Sequence, residues 1–323
     1  MKRLLLAAAA VAAVAITGCT AGSTPTLPSA PAPSSSAAPS PSATPSRPGC
    51  NDKDTTRVAS YAPDGPLPAP GDLPAGTTMA AIKKRGKIIV GVSADNLLFG
   101  FRDPITGQLE GFDIDMVNAV AAAIFGDAKG HVDYVVENFS QRIPDLLAGR
   151  VDLVADVMTI NCARWSQIAF STEYFHAGQQ VLVRKDAPYQ SIEDLAGKKV
   201  CAAKGSSGQA NLAKFPKVKA EIVANISDCM VLFQQGAVDG LISDNTVLSG
   251  FERQDPYARI AGRQLTDEPY GLGIPAKNVD FVKFVNAKLA QMRTNGDWAS
   301  IYRKWLPGKV PSPPAAVYGR ALP

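Results

Sequence analysis

The sequence predicts an α/β fold. Two observations carry that expectation: from Lys87 onward short apolar strands alternate with amphipathic helices, and loops rich in Gly, Ser or Asp punctuate them. Strands separated by helices make βαβ units and hence mainly parallel sheets.

The elements follow in order. Lys87-Ile88-Ile89-Val90-Gly91-Val92 reads as a buried strand, and Asp103-Pro104-Ile105-Thr106-Gly107 carries turn chemistry for a hairpin between Leu98 and Phe112. Asp113 can cap a helix whose apolar residues Met116, Val117, Val120 and Ile124 keep helical spacing. Val132 to Val136 is a strand, Ser140 can cap a helix through Leu147 that stops at Gly149, and Val151 to Val157 is a strand again. A second block opens near Gln179. Val181 to Arg184 is extended, and Ser191-Ile192-Glu193-Asp194 has the form of a capping box. Strand Val200 to Ala203 then runs into Gly205-Ser206-Ser207-Gly208 and a helix from Gln209. Strand Glu221 to Val223, helix Asp228 to Gln235 and strand Gly240 to Ser243 follow. The chain closes with strand Gly271 to Ile274 and helices Val279 to Arg293 and Trp298 to Trp305.

The N-terminus indicates export. Lys2 and Arg3 precede an apolar run from Leu4 to Ile16, too short for an ordinary membrane span of roughly 20 residues but suited to a signal peptide over 1–18. It ends in Ile16-Thr17-Gly18-Cys19, which resembles a lipobox, so Cys19 is the expected lipid anchor. Residues 19–49, dominated by Ser, Pro, Ala and Thr, should form a disordered tether. The 33 basic residues, two of them Lys2 and Arg3, nearly balance 29 acidic ones, which argues against nucleic acid as partner. Cys50, Cys162, Cys201 and Cys229 suggest two disulfides, with three connectivities open. The placement of Cys201 and Cys229 in one segment favours Cys201–Cys229, leaving Cys50–Cys162. No CxxC pair occurs and the only histidines are His131 and His176, so no zinc site and no cofactor are expected.

Three loops stand where open α/β sheets bind ligands, beyond strand ends and near helix starts. Thr159 to Arg164 offers a planar guanidinium for a carboxylate; alone, Arg164 would more readily read as a solvated helix residue. Gly205-Ser206-Ser207-Gly208 combines close backbone approach with hydroxyls, though it could be a plain turn, and it lacks the Gly-Lys-Ser/Thr ending of a phosphate loop. Asp244 follows strand Gly240 to Ser243 and could pair with an ammonium or cap a helix. Together these groups suit a zwitterionic amino acid.

Several stretches resemble the family 3 extracytoplasmic solute-binding proteins of polar amino acid ABC transporters: Lys84 to Val92, Gly107 to Asp115, Asn138 to Val154, Arg164 to Tyr174, Gly178 to Val183, Asp194 to Val200 and Asn295 to Trp305. The lipobox and tether resemble actinobacterial glutamine/glutamate-binding lipoproteins. The resemblance implies a type II periplasmic binding protein fold, two α/β lobes joined by two hinge strands near 172–178 and 266–270. Lobe 1 would span 80–173 with 268–308 and lobe 2 would span 174–267, flanked by an irregular extension at 50–79 and a tail at 309–323. It also implies that Arg164 holds an α-carboxylate with Thr159, Ser207 and Gly208. Asp244 and the Val157 carbonyl would take the ammonium, and Phe139 would stack on the ligand. The family often carries an acid near Ser93, an aromatic near Asn96 and Thr in place of Asn161. Their replacement, with Arg142 nearby, suits glutamate, aspartate or their amides. The implied partner is a transporter permease or a membrane sensor, and the implied state is a monomer. A competing class on the same fold is cyclohexadienyl dehydratase; its acid could only be Glu173.

Overall fold

A computed structural model describes residues 50–322; the signal segment, Cys19 and the tether lie outside the described residues. Two five-stranded paths form the framework. In the first, Ile88–Val92 lies between Val132–Val136 and Leu153–Ala155, all parallel, and Gly273–Ile274 and Ala169–Phe170 continue the sheet antiparallel. In the second, Lys199–Ala203 lies between Lys219–Val223 and Gly240–Asp244 in parallel, and Phe175–Arg184 and Ala258–Ala261 extend it antiparallel. Both sheets are thus mixed, each with a parallel core built by helical crossovers. Val90, Val92, Leu153 and Val154 on one, and Val200, Ala202, Leu241 and Ile242 on the other, are buried without remainder, as strands covered on both faces must be.

The ten-residue strand Phe175–Arg184 belongs to both lobes. Its far end enters the second sheet, while its first residues pair antiparallel with Asp267–Tyr270, Ala177 opposite Glu268. Phe99, Phe112, Phe175 and Tyr270 pack around this crossing, with the Phe99 and Phe175 rings edge to face at 5.0 Å. A third, small sheet of Asp95–Asn96, Gly100–Arg102 and Leu109–Glu110 is the expected hairpin with one strand added.

Two expected caps are not caps. The helix Phe112–Phe125 starts after Gly111, whose φ of 137° no side chain tolerates easily and whose missing Cβ would fall on the Phe99 carbonyl. Asp113 sits inside the first turn, buried, accepting from the Val157 amide at 2.8 Å and the Tyr174 hydroxyl at 2.7 Å. Burial pushes its carboxyl up to about 6. Ser140 donates to Asn138 instead, and the helix Arg142–Leu147 follows Gln141 with no side-chain cap. At Glu193–Leu195 the capping-box pattern yields a single 3-10 turn, with Asp194 accepting from Gln190 and Ser191 amides. Among the described residues, two helices longer than one turn went unpredicted, Thr78–Arg85 and Asn245–Gln254. The first buries only Met79 and Ile82, and the second carries Asn, Thr, Ser and Gly, so pattern and propensity both obscured them.

Disulfides join Cys50 to Cys162 and Cys201 to Cys229. The 50–79 extension lies on the first lobe. The Ser60 hydroxyl donates to the Phe170 carbonyl at 2.7 Å, and Ser60 pairs in parallel with Tyr318 of the tail. Asn286, fully buried, accepts from Thr172 N at 2.7 Å and donates to Ser60 Oγ at 2.9 Å and the Tyr61 carbonyl at 2.7 Å. Asn286→Ala strands a buried donor and acceptors and should cost about 3 kcal/mol. Urea midpoints of the two proteins will measure it, and a loss under about 1 kcal/mol would contradict this role.

Candidate functional site

Strand Leu153–Ala155 ends in a strained turn. Val157 has φ 40°, rare for a β-branched residue, and its amide is held by Asp113. The chain then forms the single helical turn Cys162–Trp165, capped by Asn161, whose Oδ1 accepts from Arg164 N at 2.9 Å. This turn presents Arg164, only 8% exposed, whose Nη1 donates to the Thr159 carbonyl at 2.7 Å and Nη2 to the Gly205 carbonyl at 3.3 Å. No carboxylate among the described residues forms an ion pair with it. Burial, with Arg142 nearby, pulls its guanidinium down to about 9. A buried cation held only by carbonyls is a receptor for an anion.

Gly205 belongs to the second lobe, so Arg164 spans both. Gly205 has φ 77°, and a Cβ there would lie 2.7 Å from Ser140 Cα of the first lobe. The following turn Ser207–Leu212 is capped by Ser206, which accepts from Gln209 N at 2.9 Å. Ser207 Oγ comes within 3.4 Å of Thr159 Oγ1, and Gly208 lies against the Ile242 carbonyl, where a Cβ would stand at 3.0 Å. The lobes are therefore closed on each other at these loops.

Asp244 ends strand Gly240–Asp244 and holds the N-cap position of the next helix without a side-chain capping bond. Its Oδ2 accepts from the Tyr270 hydroxyl at 2.8 Å, and Thr246 lies 2.6 Å from the same hydroxyl. Burial and neighbouring Glu268 push its carboxyl up to about 8. Glu268, 3% exposed on hinge strand Asp267–Tyr270, was missed by sequence reasoning. It accepts from Thr159 Oγ1 at 2.6 Å and Thr266 Oγ1 at 2.5 Å. An acid followed directly by Pro269 and Tyr270 in the hinge segment was the available signal. Glu173, the acid nominated for an enzyme, instead pairs with His176 at 2.7 Å.

The remaining expected residues gather on the first lobe. Arg142, 2% exposed, stacks over the half-buried Phe139 ring at 4.5 Å and donates to the carbonyls of Phe139 at 3.1 Å and Asp156 at 2.8 Å. The Asp156 carboxylate is 3.9 Å from its Nε, and burial raises that carboxyl well above its usual range. Asn96, 1% exposed, leaves both amide atoms without a hydrogen bond. Ser93 Oγ donates to Asp95 at 2.8 Å. Acids are not missing from this quarter: Asp95 and Glu137 line a cavity of about 310 Å³ with Ser93, Phe139, Asn225 and Ser227. Burial, with Asp145 beside it, pushes Glu137 up to about 8. Asn161, expected to read the ligand, spends its carbonyl oxygen on the cap of Arg164's own turn.

Residues 88–308 match the model of the bacterial extracellular solute-binding proteins, family 3. The chain belongs to this family. The ABC transporter glutamine-binding protein GlnH of Bacillus subtilis is 36% identical over 231 residues, 71% of this chain and 84% of the relative. The glutamine-binding protein of Geobacillus stearothermophilus is 39% identical over 212 residues, 65% of this chain and 80% of the relative. Among solved structures, an ancestral arginine-binding protein bound to glutamine superposes with TM-score 0.65 at 35% identity, covering 68% of this chain and 98% of the other. The ancestral precursor of cyclohexadienyl dehydratase, itself an amino acid-binding protein, superposes with TM-score 0.66 at 32% identity, covering 71% of this chain and 99% of the other. This family 3 protein is accordingly an extracellular solute-binding protein and not an enzyme.

Gly205→Ala should hold this solute-binding protein's lobes apart, since the new methyl meets Ser140 and the left-handed backbone costs a further ~1 kcal/mol. Energy transfer between dyes on the two lobes will show a longer mean distance; an unchanged distance would contradict the contact.

Proposed function

We propose that this protein binds a polar amino acid with an acidic or amide side chain between its lobes and hands it to a transporter permease or a membrane sensor. One observation carries the reading: Arg164, a buried cation without a carboxylate partner, shares a closed cleft with two buried carboxylates, Asp244 and Glu268. A ligand bearing one carboxylate and one ammonium complements both, and neither group is well solvated otherwise. Arg164, with Ser207 and Gly208, takes the α-carboxylate. Asp244, with the Val157 carbonyl and Glu268, takes the ammonium, and Thr159 orients Glu268. Phe139 packs on the aliphatic part. Arg142, whose Nη2 makes no hydrogen bond among the described residues, and Asn96, with a free amide, read the side chain. The names of the glutamine-binding relatives and of the glutamate-binding protein GluB of Corynebacterium glutamicum, 29% identical over 243 residues, support this ligand class. The leader, Cys19 and tether support anchoring by lipid at the outer face of the cell membrane, and the family resemblance supports a monomer.

Calorimetric titration with glutamate, aspartate, glutamine and asparagine tests the reading, and failure of all four to bind would sink it. Arg164→Ala should weaken every ligand roughly 100-fold, the worth of a buried charge-assisted pair. Arg142→Ala should weaken the two acids more than the two amides; equal losses would remove Arg142 from side-chain recognition.

Binding should also release a proton. With its carboxyl near 8, Asp244 is protonated at about pH 7, and pairing with an ammonium ionises it. Affinity should therefore fall as pH drops below about 8, by up to ~10-fold per unit. Titrations in buffers of different ionisation enthalpy will count the proton. Asp244→Asn should abolish the release, and wild-type binding without release would contradict the assignment.

A further inference from the structure

The hairpin beginning at Asp95 reaches from the first lobe to the second at a point that needs no ligand. Asp95 Oδ1 accepts from Ser93 Oγ at 2.8 Å, which orients the carboxylate. Its Oδ2 accepts from Ser227 Oγ at 2.6 Å and from Ser227 N at 3.3 Å. Ser227 is the second residue of helix Ile226–Gln234. The first amides of a helix have no partner within it and form its positive end, so a carboxylate is the complementary group. Asn225 and Asp228 cap each other by a reciprocal box, which leaves the Ser227 amide for the other lobe. A second contact of the same arm lies nearby: a Cβ on Gly250 would stand 3.0 Å from the Leu97 carbonyl. The mount is stiff, because Cys229 in the same helix is bonded to Cys201 of strand Lys199–Ala203. That strand runs directly into Gly205 and Ser207, the residues that face Arg164 and Thr159.

We infer that Asp95 and Ser227 form a positioning latch that holds the lobes closed and sets how long a ligand stays, without reading which ligand it is. The inference rests on the binding function proposed above. The contact exists only while the lobes are shut, so it favours the closed state by the same factor for every ligand. Opening exposes both partners to water, and the ligand leaves at the rate of opening. Arg142 and Asn96 act differently, since their contributions depend on the side chain bound.

The experiment uses the purified full chain and the variants Asp95→Asn, Ser227→Ala and the double variant. Stopped-flow binding of glutamate, aspartate, glutamine and asparagine is followed for each. Spin labels placed through Leu147→Cys and Tyr257→Cys, exposed sites on the two lobes, report the distance between them. Each single variant should raise the dissociation rate about tenfold for every ligand with the association rate unchanged, and the double variant should add little. The label distance should lengthen in all three, with or without amino acid. Losses that multiply in the double variant, losses confined to the acidic ligands, or an unchanged label distance would each overturn the latch. If none of the four amino acids binds the wild type, the ligand reading fails, while the label distance still decides the latch.

Discussion

The site depends on one unbalanced charge. A guanidinium inside a protein is tolerated when hydrogen bonds and a counter-ion compensate for lost water. Arg164 donates hydrogen bonds to one carbonyl of each lobe but has no ion-pair partner among the described residues. Much of the local structure exists to keep it there: the Asn161 cap, the Cys50–Cys162 bond at the base of its turn, and Trp165 donating to the Arg57 carbonyl at 2.9 Å. A side chain so braced cannot swing out to water. The compensation has to come from whatever enters the cleft.

Electrostatic work is divided along the cleft. Asp244 and Glu268 lie on the second-lobe strand end and on the hinge, opposite the arginine. On the first lobe Arg142 lies with Asp156, Glu137 and Asp145, and burial raises the carboxyls of Asp156 and Glu137 above their usual range. A Cβ at Gly91 would fall on the Glu137 carboxylate, so the strand accommodates that acid through a glycine. Arg142 nevertheless reaches beyond its own group, opposing the charge of Arg164 and favouring that of Asp244, so the two parts of the cleft are electrostatically linked.

The sequence made the framework legible because βαβ units announce themselves through buried strands such as Ile88–Val92 and Lys199–Ala203. Arg164, Asp244 and the glycine loop were legible as strand-end chemistry. What stayed hidden was partnership. Asp113 has the spacing of a cap, yet a distant amide and a distant tyrosine claim it. Ser93 looked like a pocket residue made small, while its hydroxyl serves Asp95 two positions on. Glu268 was passed over because a hinge strand looks like connection, and only the fold brings it against Thr159. Local pattern reports which face a residue takes; it does not report which atom waits there.

The two disulfides among the described residues each stay within one lobe: Cys50–Cys162 fastens the extension to the first, and Cys201–Cys229 fastens a helix to a strand in the second. Neither crosses the hinge, so oxidation hardens both halves without locking the joint. The extension and the tail also lie on the first lobe, through Ser60, Asn286 and Tyr318. Cys50, the first described residue, is thereby fixed to one half alone. The first half is thus a stapled base, and any movement at the hinge would carry the second half against it as one piece.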